Sequence, residues 1–114
     1  MSSREKRAQK PSISAIRTMI EEATVDAYDE GEQAMGWQYS FDEYLELPLI
    51  TRVLGVEVKV ERVELRDDNS IVAICKRGRE QQAIPILDLP LPKPPPPGWE
   101  WIAAYKYFCR GSRA

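Results

Sequence analysis

Apolar residues follow a helical spacing near the N-terminus of this chain and a strand-like alternation further along it. Ser12 or Ser14 can cap a helix, and a stripe of apolar residues follows at intervals of three or four, formed by Ile16, Met19, Ile20, Ala23 and Ala27. This spacing predicts an amphipathic helix that packs one face against a core. Gly31 or Gly36 is expected to end or break it, because glycine leaves the helical conformation easily.

Between residues 37 and 47 the pattern is less decisive. Large rings (Trp37, Tyr39, Phe41 and Tyr44) alternate with polar groups. The alternation suits a strand, and it also suits a short helix. Both interpretations remain open from the sequence.

Four segments between residues 47 and 89 have the short apolar alternation of antiparallel strands, at 47–54, 56–65, 70–78 and 80–89. The alternation slips by one residue after Val60, which predicts a β-bulge near Glu61–Arg62. Asp and Asn in 66–69 predict a turn. Pro85 indicates an edge strand or the end of pairing, because proline donates no backbone hydrogen bond.

These elements predict an α+β fold, in which an N-terminal amphipathic helix packs on a small antiparallel SH3-like β-barrel or meander. Trp101, Tyr105 and Phe108 share helical spacing and predict a C-terminal aromatic helical segment that docks back on the domain. The prolines before it favour a stiff polyproline II spacer over a ligand for an SH3 or WW domain. The expected organisation is a disordered basic arm (1–11), a single α+β domain (12–89), a proline-rich connector (90–98), the docking segment (99–108) and a loose tail (109–114).

Charge is distributed unevenly along the chain. No Lys or Arg lies between Arg17 and Arg52, although this interval holds nine carboxylates: Glu21, Glu22, Asp26, Asp29, Glu30, Glu32, Asp42, Glu43 and Glu46. If the first helix continues far enough, Glu22, Asp26, Asp29 and Glu30 share one of its faces. Like charges one turn apart destabilise a helix by about 0.2–0.5 kcal/mol per pair, so this face favours a cationic partner.

The composition argues against several classes of function. Histidine is absent, no nucleophile–base pair or glycine-rich phosphate loop can be named, and we therefore expect no enzymatic activity. Lys76–Arg79 is a short basic turn without interleaved aromatic residues, which is typical of a solvated turn rather than a nucleic-acid site. The chain has neither a long apolar run nor a signal-peptide pattern, and Cys75 and Cys109 lack a metal-site spacing. We expect a cytoplasmic protein without a membrane partner, whose cysteines stay reduced.

Clustered carboxylates are the ligands that hard divalent cations such as Ca²⁺ prefer. The run 26–31 lacks the spacing of an EF-hand loop, so the residue pattern alone is also compatible with a solvated acidic face. A different kind of function, in which the acidic face docks a basic partner protein, would depend on charge complementarity instead of chelation.

The run VDAYDEGEQAMGWQY (25–39), followed by Leu47-Pro48-Leu49, resembles the small cyanobacterial-type calcium-binding proteins of the CcbP family. The resemblance covers roughly residues 20–89, and Leu47-Pro48-Leu49 replaces an aromatic version of the strand entry. It implies a compact bacterial calcium buffer or sensor that binds Ca²⁺ at acidic surface sites. It leaves the oligomeric state undetermined. Carried over by position, the implied ligands are Asp26, Asp29, Glu30, Glu32, Asp42 and Glu43.

Overall fold

A computed structural model of the protein, described here for residues 10–111, contains three helices and a four-stranded antiparallel sheet. In chain order the elements are α1 (Ile13–Ala23), α2 (Glu30–Tyr44), β1 (Leu49–Val53), β2 (Val56–Leu65), β3 (Ile71–Arg77), β4 (Glu80–Pro85), a 3₁₀ turn (Ile86–Asp88) and α3 (Glu100–Gly111). The α+β class is confirmed. Most of the expected basic arm (1–9) and the last three residues of the chain lie outside the described residues.

Helix α1 begins at the predicted cap and ends earlier than the sequence suggested. The Ser12 hydroxyl oxygen accepts a hydrogen bond from the Ala15 N–H at 3.0 Å. At the other end, the Thr24 hydroxyl and the Thr24 N–H both donate to the Ile20 carbonyl, at 2.7 and 3.0 Å. Asp26 then adopts a left-handed conformation with φ of 59°. The prediction that the helix continues to Ala27 is therefore wrong.

Helix α2 contains both glycines that were expected to end or break a helix. Gly31 lies in its first turn, and Gly36 lies in its middle. The ring-rich segment that follows Gly36 is also helical. A Cβ on Gly36 would lie 1.8 Å from the Ala23 carbonyl oxygen. Gly36 thus serves the close approach of α1 to α2 and does not interrupt the helix, because the absent side chain leaves space for the backbone of its neighbour.

The sheet is an open meander in the order β1-β2-β3-β4. The predicted bulge is present, since the β2–β3 register shifts between Val60 and Arg62. The predicted turn is also present, with the Arg66 N–H donating to the Ser70 carbonyl at 2.8 Å. Strand β4 is an edge strand that ends at Pro85. Strands β1 and β4 do not pair with each other, so the SH3-like barrel is not confirmed, and two helices rather than one precede the sheet.

The core lies where α2, α3 and one face of the sheet meet. Trp37 and Phe41 of α2 are fully buried. From α3, Tyr105 and Phe108 place their rings 5.1 and 5.5 Å from Trp37, and Trp101 places its ring at 6.4 Å. The predicted aromatic helix therefore docks as expected. It also extends through residues 109–111, which were expected to be loose, and Arg110 in its last turn suits the negative end of the helix dipole.

The proline-rich connector returns the chain to the end of α2. The Glu46 N–H donates to the Pro97 carbonyl at 3.0 Å. Gly98 has φ of 89°, and a Cβ there would lie 1.9 Å from the Tyr44 carbonyl oxygen. This close contact fixes where α3 begins, beside the C-terminal turn of α2.

Candidate metal centre

A cleft of about 290 Å³ lies between the end of α1, the link after it and one face of α2. Four carboxylates line it: Glu22, Asp26, Glu32 and Glu43. The remaining lining residues are Ala23, Val25, Ala27, Met35, Gly36, Tyr39 and Ser40. The cleft exists because Gly36 lets the last turn of α1 lie directly against α2.

Glu22 is held in place by a tyrosine from the far end of α2. Its Oε2 accepts a hydrogen bond from the Tyr44 hydroxyl at 2.5 Å. This hydrogen bond, followed by desolvation and by the negative charges of Glu22 and Glu43, raises the pKa of Tyr44 to about 12. The Tyr44 ring stacks on Trp101 with centroids 4.5 Å apart and planes 1° from parallel. Glu22 is therefore linked to α3 through Tyr44, by one hydrogen bond and one aromatic stack.

Asp29 and Glu32 cap the start of α2. Asp29 Oδ1 accepts from the Glu32 N–H at 2.8 Å, and Glu32 Oε1 accepts from the Tyr28 N–H at 2.6 Å. This reciprocal pattern resembles a capping box, and it satisfies the Glu32 N–H, which the first helical turn leaves free, and the Tyr28 N–H just before the cap. Both carboxylates consequently have a structural role, although Glu32 also lines the cleft.

Two other predicted ligands point elsewhere. Glu30 is an exposed side chain in the first turn of α2 and does not line the cleft. Both carboxylate oxygens of Asp42 lie within hydrogen-bond distance of the Gln38 side-chain nitrogen, at 3.2 and 3.1 Å, and that nitrogen also donates to the Val63 carbonyl at 2.9 Å. Asp42 is thus directed toward strand β2.

The structure therefore brings together three of the six predicted ligands, Asp26, Glu32 and Glu43, and adds Glu22. The expected helical face that joined Glu22 to Asp26, Asp29 and Glu30 is wrong, because α1 ends at Ala23 and these residues fall on a helix end, a link, a cap and a second helix. Glu22 was not predicted as a ligand, since the crossing that places it in the cleft depends on Gly36, distant in the sequence.

The donors of the cleft suit Ca²⁺ in kind but do not converge on one point. They are carboxylate oxygens, with no imidazole or thiolate among the cleft residues. Among residues 10–111, no three acidic or cysteine side chains are placed so that they could hold a metal ion together. Glu32 and Glu43 are eleven residues apart on one helix, which corresponds to about 16 Å along its axis. The cleft thus has two separate acidic ends.

The acidic segment also lacks counter-charge. The ion pairs within the described part of the chain join Arg62 to Glu61 and Glu64, and Arg66 to Glu64. All of these residues lie on or just after β2. The nine carboxylates between Arg17 and Arg52 therefore have no ion-pair partner within residues 10–111.

No helix in the described residues has the length and apolar character needed to cross a membrane. No curated protein matches the chain.

Two solved structures share the fold. The crystal structure of Anabaena CcbP superimposes with a TM-score of 0.66 and 23% identity, covering 90% of this chain and 94% of that one. A second structure, described as a calcium-binding protein in the calcium-binding form, gives a TM-score of 0.65 and 23% identity, covering 97% of this chain and 98% of that one.

The model of the CcbP calcium-binding family matches residues 17–109. The match is wider than the resemblance in the sequence, because it includes the proline-rich connector and most of α3. It confirms that resemblance and the expected cofactor, Ca²⁺. The chain belongs to the CcbP family of calcium-binding proteins.

Proposed function

We propose that this protein is a non-enzymatic, cytoplasmic calcium buffer or sensor, and that the carboxylates at the two ends of the α1–α2 cleft bind Ca²⁺. The residues proposed to hold Ca²⁺ are Glu22, Asp26, Glu32 and Glu43. Asp29, Glu30 and Asp42 are proposed to contribute to the surrounding negative potential and not to bind Ca²⁺ directly.

The observation that carries the proposal is that four carboxylates without an ion-pair partner among residues 10–111 line one small cleft. Confining like charges is unfavourable, and a divalent cation relieves it more effectively than a diffuse cloud of monovalent ions. Asp26 and Glu43 are exposed side chains, so they can rotate toward an ion. Because the charged donors are all carboxylates, the cleft favours Ca²⁺ over softer metals.

The separation within the cleft argues for two ends that bind independently. Glu22 accepts a hydrogen bond from Tyr44 at the end of α2, where Glu43 also lies, so these two carboxylates share one end. Asp26 lies in the link before α2, and Glu32 lies in the first turn of that helix. With two carboxylates at each end, the other ligands that Ca²⁺ requires would be backbone carbonyls and water.

A buffer and a sensor differ in how far the effect of calcium binding extends through the protein. A buffer changes little beyond the ligands, whereas a sensor passes the change to another surface. The path from Glu22 through Tyr44 to Trp101 offers such a route into α3. Backbone shifts confined to the cleft on calcium binding would identify a buffer, and shifts that also reach residues 100–111 would identify a sensor.

Isothermal titration with Ca²⁺, with Mg²⁺ as the ionic control, tests the ligand assignment. Glu43→Gln and Asp26→Asn are expected to weaken binding at least tenfold, because each removes one of the two charges at its end of the cleft. Glu30→Gln and Asp42→Asn remove the same charge from α2 outside the cleft, so they are the matched controls. Equal effects in the two groups would contradict the assignment.

A second function is favoured by the apolar side chains at the same cleft. Val25, Met35 and Tyr39 line it and are 67%, 43% and 62% exposed. Exposed apolar groups beside unpaired carboxylates are suited to a basic partner segment that also carries apolar side chains. Binding of a basic protein that weakens with monovalent salt and is indifferent to calcium would favour this function over the first.

A further inference from the structure

A second concave surface lies at the start of α1, whereas the acidic cleft lies at its end, and calcium chemistry does not account for this second surface. It is a groove of about 550 Å³ between the start of α1, the segment 86–91 and one face of α3. Its walls are mostly aliphatic and aromatic, with Ile13, Leu89 and Ile102 among them. No acidic residue is among those lining the groove.

Basic side chains lie on two sides of this groove and form its rim. Lys10 lies on the α1 side, and Lys106 and Arg110 lie one turn apart on α3. All three are exposed, and none forms an ion pair within residues 10–111. Like charges one turn apart repel, so this arrangement stabilises a bound anion. The basic rim of this groove contrasts with the chain as a whole, whose net charge is −2.

The volume of the groove and the small exposure of its apolar lining favour a small ligand. Its volume lies in the range of about 300–1,000 Å³ that is usual for small-molecule sites. Of the apolar residues that line it, Ile13 and Tyr107 are the large exposed ones, at 48% and 37%, while the others are buried or half-buried. A docked helix would require a longer strip of exposed apolar side chains. An apolar groove of this volume with a cationic rim instead suits an aliphatic chain that ends in an anion.

We propose that this groove binds a single-chain amphipathic anion, with an aliphatic chain against the apolar walls and a carboxylate at Lys106, Arg110 and Lys10. The N-terminal residues 1–9 are a poor occupant, because they carry Arg4, Lys6 and Arg7 against Glu5 and would bring more positive charge to the rim. This binding does not depend on the calcium function proposed above.

The test uses decanoate as the probe and the full-length protein in buffer with a calcium chelator, which also prevents calcium soaps. We expect saturable 1:1 binding by calorimetry below the micelle concentration, with NMR shifts at the side chains of Ile13 and Ile102. Decanol lacks the charge and acetate lacks the chain, so each is expected to bind at least tenfold more weakly than decanoate.

The variant Lys106→Glu/Arg110→Glu is expected to bind decanoate at least tenfold more weakly, and Ile13→Ser severalfold more weakly. Lys76→Glu/Arg79→Glu makes the same charge change at the exposed end of the β3–β4 hairpin and is the control, with affinity expected to be unchanged. Circular dichroism establishes that each variant is folded. Absence of saturable decanoate binding, equal affinity in both charge-reversed variants, or tight binding of an acidic peptide or a second copy in place of decanoate would overturn the proposal.

Discussion

Gly36 of α2 faces the backbone carbonyl of Ala23 at the end of α1 so closely that a Cβ would lie 1.8 Å from the carbonyl oxygen. This contact sets the distance between the two helices and the depth of the cleft between them. We therefore expect Gly36→Ala to destabilise the protein by about 1–3 kcal/mol or more, because backbone must move to relieve the overlap. Urea denaturation measures this change.

Gly31→Ala is the matched control for that substitution, because Gly31 lies in the same helix. A Cβ there would be 3.4 Å from Asp29 Oδ1, which is an ordinary contact. Alanine has a higher helix propensity than glycine by about 1 kcal/mol, so Gly31→Ala is expected to be neutral or stabilising. A similar loss of stability in both variants would show that the close approach at Gly36 is not the cause.

The Tyr44–Glu22 hydrogen bond predicts an abnormal tyrosine titration. The pKa of Tyr44 is raised to about 12 from its ordinary value of 10.0, chiefly by that hydrogen bond. Ultraviolet titration in calcium-free buffer, compared with Tyr44→Phe, should isolate one phenol that ionises near 12. In Glu22→Gln this pKa should fall toward 10, and an unchanged value would assign the shift to another cause.

The same shift predicts how stability depends on pH. Because the folded-state pKa of Tyr44 is raised, the native state keeps its proton to higher pH than the unfolded chain does. The resulting stability is fully present below about pH 10 and is lost as pH rises from about 10 to about 12. Replacing Tyr44 with Phe should flatten the dependence of the free energy of unfolding on pH in that window.

Trp37 is the centre of the aromatic core. It is fully buried and contacts rings from α2 and α3, yet its indole Nε1–H has no hydrogen-bond partner within the described residues. Trp37→Ala is expected to cost about 3–5 kcal/mol through cavity formation. Trp37→Phe should cost distinctly less, because it keeps an aromatic ring and removes the unsatisfied donor. Equal losses of unfolding free energy in the two variants would contradict this interpretation.

Calcium should stabilise the protein if the carboxylates bind it. A ligand that binds the native state alone contributes about 2.7 kcal/mol when its concentration is one hundred times its dissociation constant. The melting temperature should therefore rise with calcium concentration in the wild type and in Glu30→Gln, and rise less in Glu43→Gln. A melting temperature that responds to Mg²⁺ as strongly as to Ca²⁺ would point to general charge screening.

Local patterns in the sequence predicted the sheet well and the helices less well. The alternation around Val60 located strand β2 and its bulge, because both depend on neighbouring residues. The end of α1 was not predicted, since Thr24 and Asp26 are compatible with a helix by composition. The Thr24 hydrogen bonds to Ile20 and the left-handed conformation of Asp26 mark the end only in the structure. The ring-rich part of α2 was ambiguous because the aromatic residues occupy more than one face of the helix.

The residues of the candidate site were likewise predicted only in part. The family resemblance selected Asp26, Glu32 and Glu43, which line the cleft, together with three carboxylates that do not. Glu22 belongs to the cleft through a helix crossing and a hydrogen bond to Tyr44, 22 residues away. No local pattern indicates such a pairing. Distinguishing a cleft carboxylate such as Glu43 from its neighbour Asp42 requires knowing which face of α2 points toward β2.

The most direct test of calcium binding in the α1–α2 cleft is a calcium titration of the ¹⁵N-labelled protein, monitored by two-dimensional NMR. We expect saturable shifts at the backbone amides around Glu22, Asp26, Glu32 and Glu43, with those of the 66–69 turn unchanged. Absence of shifts in millimolar Ca²⁺, or shifts that avoid the α1–α2 cleft, would contradict the proposed site.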